Sequence, residues 1–527
     1  MNSIFARLSL NRNKILILVF VELLVILQGI YCFVAISPSR STLVFTAVSV
    51  MLIGVLTFIF FREENEKKTR RVFLIGISIL ACTFLVIFPP NSAPDEVFHF
   101  QASYKYSDMI LGEEVSSNSI TIRNEDKPLF EDNRTKVSAT HYREVLDKST
   151  LFSDESGYTT AEVVSSFGIA DNPPQTKIAS ALGITIGKLM GLGAYPVYYL
   201  GRLFNFLSFI ILIYFSVKAT PFGKNIFMTI AMLPMTLHLA VSYSYDVATI
   251  GIAFLLTACC LKAIYEKGRI DNKLLVGIGV LIFLIAPCKV VYSAIGLLVL
   301  FIPKERFASK KICILIKGVF LLLAIASAFA IRASSLVALS GVNATTDSGG
   351  YQSLDVRGNQ SGTFYNISDV LDDPLGIIIL YLKTFGIMGS WYLSTAVGGS
   401  LGWFQPEIVA NDLIVFSFII ILLVASLKSN DISIAISLPL RITLIGITLV
   451  VCILVGASML LGHTFIGEPY IMGIQGRYVL PVAPLLLFAL QNSRVVYNGN
   501  PASIVILGSF ALNLLYLNYI FASALNM

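Results

Sequence analysis

Charged residues are scarce in this sequence. They make up 13% of its 527 residues, whereas an ordinary soluble protein carries about a quarter. Hydrophobic residues make up 56%, which is more than one water-soluble core can bury. They fall into blocks of roughly 17 to 25 residues, the length that crosses a bilayer as a helix. The composition therefore excludes a soluble globular protein and predicts a polytopic membrane protein.

Residues that bind metals or form disulfides are also few. The sequence has four histidines, which form no spaced metal-binding motif. Its seven cysteines lie in or beside apolar segments, and none falls in the two large polar loops. No disulfide framework and no metal site is predicted, although a divalent ion held by Asp95 and His99 stays open. The net charge of +6 comes mostly from short connectors, so it predicts contact with lipid head groups and not with nucleic acid.

About thirteen apolar blocks predict an all-α transmembrane bundle, because backbone groups in lipid must be satisfied within the chain. Residues 62–71 hold five Lys and Arg, and this connector is predicted to be cytoplasmic, like the N-terminus. With about thirteen spans after a cytoplasmic N-terminus, the C-terminus is predicted to be outside. The blocks lie near residues 15–36, 42–61, 72–88, 196–217, 225–241, 247–265, 274–286, 290–301, 312–333, 413–427, 442–461, 478–490 and 504–522.

Two long polar stretches, residues 89–175 and 334–410, are predicted to be extracytoplasmic loops of a transmembrane domain over residues 1–490. Residues 491–527 then form a C-terminal transmembrane helix. Within these limits two segments are only weakly apolar. Residues 178–192 are predicted to form an interfacial or re-entrant helix, and residues 375–406 to lie along the outer interface.

Two adjacent carboxylates and a histidine occur where the third block meets the first loop, in Pro94-Asp95-Glu96-Val97-Phe98-His99. If a helix starts at Pro94, Asp95 and His99 lie on one face. Acidic residues near a helix N-terminus are stabilised there, so capping is the alternative to chemistry.

Four further ionisable residues lie inside or at the ends of apolar segments, on the same predicted side as Asp95. They are Arg202, Asp246, Lys289 and Arg477. Ionisable groups at such depth indicate function by default. Snorkelling or a structural ion pair would explain any single one of them, but their shared side favours one common site.

The order of five short pieces resembles a known family over about residues 70–490. They are the 94–99 motif, Gly201-Arg202-Leu203-Phe204-Asn205, Ser242-Tyr243-Ser244-Tyr245-Asp246, Lys289 with Tyr292, and Gln475-Gly476-Arg477-Tyr478-Val479-Leu480-Pro481. The chain resembles the bacterial polytopic membrane family called domain of unknown function 2142, which is similar to the GT-C superfamily of glycosyltransferases. It departs from the best-studied GT-C enzymes in having two spans before the one that leads into the acidic motif.

The resemblance implies a GT-C-like enzyme of the bacterial inner membrane with an extracytoplasmic active face. Such an enzyme moves a sugar, with inversion, from a polyprenyl-phosphate carrier to a cell-envelope glycan. Asp95 is then the expected general base, with Glu96 or His99 orienting the base or the acceptor. The residues expected to bind the lipid phosphate or substrate are Arg202, Tyr243, Asp246, Lys289, Tyr292, Arg477 and Tyr478. No cofactor is firmly implied.

Two other functions stay open. A lipid or polysaccharide transporter or flippase would place polar residues near the bilayer midplane, often on broken helices. A non-catalytic membrane protein of envelope assembly would not need Asp95 and the cations together.

Overall fold

Long apolar helices dominate the protein in its computed structural model. The structure describes residues 12–61, 65–113, 115, 119–131, 137–153, 157–162, 173–339, 364–402, 410, 412–429, 434–492, 494–498 and 501–526. Within these ranges, nine helices are long and apolar enough to cross a membrane. The predicted all-α polytopic membrane bundle is therefore confirmed, whereas the count of thirteen spans is not.

The helices carry one set of labels. In chain order they are α1 (Arg12–Tyr31), α2 (Arg40–Phe61), α3 (Glu66–Ile87), α4 (Glu96–Leu111), α5 (Lys127–Phe130), α6 (Ala139–Lys148), α7 (Ile178–Leu189), α8 (Ala194–Ala219), α9 (Lys224–Ala231), α10 (Pro234–Ala240), α11 (Asp246–Tyr265), α12 (Asn272–Cys288), α13 (Lys310–Leu339), α14 (Ile367–Asp372), α15 (Pro374–Val397), α16 (Asp412–Ser426), α17 (Leu438–His463), α18 (Ala483–Leu490) and α19 (Ala502–Leu525).

The described strands are short and form two pairs. Strand β1 (Ser119–Arg123) pairs antiparallel with β2 (Tyr158–Glu162), and β3 (Lys428–Ser429) pairs parallel with β4 (Val496–Tyr497). A π-helical turn, Cys32–Ile36, follows α1. The 3-10 segments are Asn124–Asp126, Pro174–Thr176, Val290–Phe301, Lys304–Arg306 and Gly476–Val479.

Three of the predicted spans are not continuous α-helices. Residues 225–241 form α9 and α10, which are separated at Leu233. Leu233 is extended because the following Pro234, which opens α10, disfavours helical geometry in the residue before it. Residues 290–301 form a 3-10 helix, and residues 478–490 form a 3-10 turn followed by the eight-residue α18.

The prediction that residues 375–406 follow the outer interface differs from the structure. Helix α15 is continuous over 24 residues and has the length and hydropathy of a membrane span. Pro374 occupies its first turn, the Asp373 side chain caps it by accepting from the Gly376 amide at 2.8 Å, and Gly398 ends it at a φ of 108°. Most of its apolar side chains are exposed, as lipid-facing ones would be. Residues 340–363 and 403–409 of the second predicted loop lie outside the described residues.

The described part of the first predicted loop folds against the helices. Phe100 and Tyr104 of α4 pack with Ile122 of β1 and Tyr198 of α8 in a core separate from the main one. The Tyr104 hydroxyl donates to Asp126 Oδ2 at 2.7 Å. Helix α7 has only twelve residues, shorter than a span, and packs between α4 and α8. This region holds the start of α4 in place.

Helix α19 packs within the bundle next to the first helices. Asn518 donates to Thr46 Oγ1 at 2.9 Å, and Asn513 donates to the Met232 carbonyl at 2.8 Å. The C-terminal helix therefore closes the same bundle that carries the site.

Candidate functional site

Asp95 lies in the turn between α3 and α4, in the left-handed region with a φ of 56°. Non-glycine residues adopt this conformation rarely, and it often marks functional sites. The helix begins at Glu96, and the Asp95 side chain makes no capping hydrogen bond. That side chain is 54% exposed. Helix capping therefore does not account for the Asp95 carboxylate, which faces outward.

Glu96, the next residue, is fully enclosed. Arg202 of α8 grips it with two hydrogen bonds, from Nε to Oε1 at 2.8 Å and from Nη2 to Oε2 at 2.7 Å. The amides of Tyr243 and Ala93 donate to the same two oxygens at 3.3 and 3.1 Å. The side chains of Glu96 and Arg202 are 0% and 1% exposed. Four donors satisfy this carboxylate inside the protein.

Arg202 uses its remaining donors on the end of α3. Its guanidinium donates to the Phe88 carbonyl at 2.6 Å and to the Pro89 carbonyl at 2.9 Å. The Tyr243 hydroxyl donates to the Tyr198 carbonyl at 2.8 Å. We call Glu96, Arg202 and Tyr243 the buried frame, because their bonds join the end of α3, the start of α4, α8 and the loop before α11.

Arg477 stands between two aspartates. Its Nη2 is 3.7 Å from Asp95 Oδ2, and its Nε is 3.3 Å from Asp246 Oδ2. The Arg477 side chain is 4% exposed. Gly476 sets it in place, because a Cβ atom there would collide with the Tyr392 carbonyl of α15. One buried cation thus links the exposed Asp95 to the buried Asp246.

Lys289 adds a second cation, which lies against the Tyr478 ring. Pro287 stands in the last turn of α12, which ends at Cys288, and Lys289 is extended. The Lys289 Nζ lies 3.4 Å from the centre of the Tyr478 ring, a cation–π contact. The Tyr292 hydroxyl donates to the Tyr478 carbonyl at 2.8 Å. We call Asp95, Asp246, Lys289, Tyr292, Arg477 and Tyr478 the Asp95 cluster.

His99 and Lys177 lie near this cluster. The His99 ring packs edge-on against Tyr245 at 5.1 Å, and its Nδ1 is buried without a hydrogen-bond partner. Burial, together with the nearby charges of Lys177 and Arg477, holds the pKa of His99 well below its usual value. A neutral imidazole here suits orientation better than proton release.

Lys177 was not among the residues predicted from the sequence. It is 0% exposed, and its Nζ reaches the Tyr243 carbonyl at 3.5 Å. Burial lowers its pKa well below the ordinary value, while Asp246 opposes that shift. The available signal is a lysine directly before the apolar block of residues 178–192, at the end of Pro173-Pro174-Gln175-Thr176-Lys177.

An apolar cavity of about 290 Å³ opens beside Arg477. Met388, Trp391 and Tyr392 of α15 form one wall, and residues 470–476 form another. Arg477 contributes a cation, and Pro94, next to Asp95, also lines the space. The arrangement suits an amphiphile, with an apolar body in the cavity and an anionic group at Arg477.

Nine of the ten predicted site residues belong to two groups, and the tenth, His99, packs against Tyr245 near the Asp95 cluster. The Asp95 cluster contains six of them, whereas Glu96, Arg202 and Tyr243 belong to the buried frame, with their polar groups engaged within the protein. Among the described residues there is no group of three or more His, Cys, Asp and Glu that could hold a metal ion. A divalent ion at Asp95 and His99 stays a prediction.

Comparison with known proteins gives a family and nothing finer. No curated protein and no solved structure matches the chain. A family model described as Predicted membrane protein (DUF2142) matches residues 79–486, which include every predicted site residue. The chain therefore belongs to this family of membrane proteins, domain of unknown function 2142.

Proposed function

We propose that this protein is a membrane glycosyltransferase that moves a sugar from a polyprenyl-phosphate carrier to a cell-envelope glycan. The observation that carries the proposal is the half-exposed Asp95 carboxylate, held 3.7 Å from the buried Arg477 beside an apolar cavity. A base, a cation and an apolar surface are what transfer from a lipid phosphate requires.

In the proposed reaction, Asp95 accepts the proton of an acceptor hydroxyl while that oxygen attacks the anomeric carbon. The bond from that carbon to the phosphate oxygen breaks, and the polyprenyl phosphate leaves with the electron pair. The transition state resembles an oxocarbenium ion, and attack from the opposite face inverts the configuration. A general base of this kind contributes roughly 10²- to 10⁴-fold to the rate.

The leaving phosphate gains negative charge, which nearby cations stabilise. Arg477 lines the apolar cavity, and the Lys289 Nζ lies 3.4 Å from the centre of the Tyr478 ring. A guanidinium binds phosphate oxygens in a bidentate manner. We assign the phosphate to Arg477, with Lys289 as the second cation, and Asp246 as the carboxylate that orients Arg477.

The apolar cavity suits the carrier lipid. Trp391 and Tyr392 belong to the residue types that gather at membrane interfaces, and Met388 and Ile471 extend the apolar wall. A prenyl chain lying there keeps its phosphate at Arg477. We propose that this site lies at the extracytoplasmic face of the bacterial inner membrane, with the N-terminus in the cytoplasm.

A transporter is the second candidate, favoured by the broken helices. Helices α9 and α10 are interrupted at Leu233, and α12 ends at Cys288, directly before Lys289. Many transporters bind substrate where helices are interrupted near the midplane. Against this, Arg477 and Pro94, the neighbour of Asp95, line a cavity beside the last turns of α15 that suits an amphiphile.

The test of transfer is Asp95→Asn, with Asp147→Asn as the matched control. Asp147 is an exposed aspartate of α6 in the same predicted loop. Each variant is expressed in a strain from which the gene has been deleted. The envelope glycans of that strain are then compared with those of wild type. The strain that expresses Asp95→Asn should lack the same sugar as the deletion strain. Transfer in its isolated membranes should fall roughly 10²- to 10⁴-fold.

Normal glycans from Asp95→Asn, at wild-type protein levels, would contradict the assigned base. Reconstitution in liposomes separates the two candidates. Movement of a polyprenyl-phosphate sugar across the bilayer without any transfer to acceptor would support the transporter and defeat the enzyme.

A further inference from the structure

A second cavity, of about 430 Å³, lies at the other end of α17 from the Asp95 cluster. Helix α17 has 26 residues, so its ends are about 39 Å apart. It starts at Leu438, between cavity residues Ile436 and Arg441, and ends at His463. His463 lies next to Gly473, where an added Cβ atom would be 3.4 Å from the His463 Cβ, and Gly473 lines the apolar cavity beside Arg477. The two cavities are therefore separate sites.

Three cations face the second cavity. Lys428, Arg441 and Arg494 line it, and its described lining contains no carboxylate. The N-terminus of α17 adds the positive end of a helix dipole. We call this space the basic cavity. Its charge fits an anion, and the guanidinium groups favour a phosphate.

The walls of the basic cavity are fixed by bonds within the protein. Strands β3 and β4 pair Lys428 with Val496. The Arg441 guanidinium donates to the Gln491 carbonyl, and the Tyr265 hydroxyl donates to the Ala435 carbonyl at 3.3 Å. These contacts join the segment before α17 to α11 and to the end of α18. The cations are thus presented from a built wall.

Apolar side chains surround the cations. Ile434, Ile436 and Val495 line the basic cavity, and Leu438 and Leu490 beside it are 67% and 44% exposed. A freely soluble phosphate compound would gain little from these groups. An anionic phospholipid would place its phosphate on the cations and its acyl chains along the exposed leucines. Basic pockets between transmembrane helices are known to bind such head groups.

We propose that the basic cavity binds the phosphate of an anionic membrane phospholipid. The bound head group would join the end of α16, the start of α17 and the end of α18. Helices α17 and α18 flank the segment that carries Arg477. The proposal rests on the basic cavity alone and holds whether or not the protein transfers sugars.

The test uses the full chain in discs of phosphatidylcholine with and without phosphatidylglycerol. Lys428→Gln/Arg494→Gln removes two cations and leaves the Arg441 hydrogen bond intact. Lys304→Gln/Lys310→Gln removes two exposed cations elsewhere and is the matched control. Phosphatidylglycerol should raise the unfolding temperature of wild type and control, and native mass spectrometry should show about thirtyfold weaker lipid binding to Lys428→Gln/Arg494→Gln.

Inorganic phosphate, compared with chloride at equal ionic strength, is the second probe. A phosphate effect without a phosphatidylglycerol effect would overturn the lipid assignment and point to a soluble phosphate ligand. Equal phosphatidylglycerol binding by the two double variants would overturn the site itself. If Lys428→Gln/Arg494→Gln folds poorly, Lys428→Arg/Arg494→Lys replaces it. That variant should bind phosphatidylglycerol like wild type, and loss of binding would overturn the charge-based argument.

Discussion

Asp95 and Glu96 are adjacent carboxylates in opposite environments. Glu96 accepts four hydrogen bonds within the protein, and its side chain is 0% exposed. Asp95 is half exposed and meets its cation only at 3.7 Å. Their backbones explain the difference, because the left-handed Asp95 precedes the helix whereas Glu96 begins it. The enclosed carboxylate of Glu96 and the solvent-exposed carboxylate of Asp95 are thus only one residue apart.

The same contrast holds for their arginines. The Arg202 guanidinium donates hydrogen bonds to Glu96 and to two backbone carbonyls. Arg477 instead makes longer ion pairs with Asp95 and Asp246 beside a cavity. Removing one partner of a buried, fully hydrogen-bonded pair is strongly destabilising, whereas a loosely paired charge is able to accept a substrate group. The acidic motif therefore combines an enclosed carboxylate with an exposed one, and the proposed function assigns chemistry to the exposed Asp95 only.

The largest expected effect tests the structural half of this comparison. Glu96→Gln breaks a buried pair and leaves Arg202 uncompensated, which should lower the free energy of unfolding by about 3–5 kcal/mol. Equilibrium unfolding in mixed micelles measures this. The matched control is Glu144→Gln, which breaks an exposed pair with Lys148 and should change stability by about 1 kcal/mol or less. Equal stability of the two variants would contradict the structural role of Glu96 in the buried frame.

The second prediction tests the chemical half. Arg477→Lys keeps the positive charge but loses the planar fork that faces two aspartates, so transfer should fall about 10- to 100-fold. Arg143→Lys is the control, because Arg143 is an exposed residue of α6 outside the Asp95 cluster. Transfer assays in isolated membranes compare the two. Undiminished transfer by Arg477→Lys would show that charge alone suffices there.

Several features of this fold follow directly from sequence. Hydropathy and flanking charge predict most long helices, because a bilayer imposes their length. Proline explains two irregular elements that hydropathy hides: Pro234 interrupts a predicted span, and Pro287 stands just before the break at Lys289. Both residues were visible in the sequence, but a hydropathy window averages over them.

The pairing of cations with carboxylates in the site is harder to predict from the sequence. Glu96 and Arg202 are 106 positions apart, and no local pattern says that Arg202 selects Glu96 and leaves Asp95 to Arg477. Lys177 escaped prediction because a single lysine at the edge of an apolar block looks like an interfacial residue. Its burial depends on contacts with Tyr243, which only the folded chain provides.

The third prediction concerns pH and His99. Burial depresses its pKa well below 6.5, so the unfolded chain binds more protons than the folded one as pH falls through that value. His99 therefore makes stability decline with acidification below about 6.5. His99→Asn should flatten this decline in unfolding temperature against pH, while Asp95→Asn should retain it. An unchanged slope in His99→Asn would mean that the imidazole is as accessible in the folded protein as in the unfolded chain.

The fourth prediction has the smallest expected effect, and it distinguishes the positioning of Arg477 from the general stability of the protein. Tyr292→Phe removes a hydroxyl that donates to the Tyr478 carbonyl, and Tyr381→Phe removes one that donates to the Ile453 carbonyl at 2.9 Å. Each loses one hydrogen bond, worth about 1 kcal/mol of stability. Of these two hydroxyls, only that of Tyr292 bonds the segment that holds Arg477 near Asp95. Transfer should therefore fall in Tyr292→Phe and stay at wild-type level in Tyr381→Phe, and an equal fall in both would mean that general loosening of the helices, not the Asp95 cluster, limits the rate.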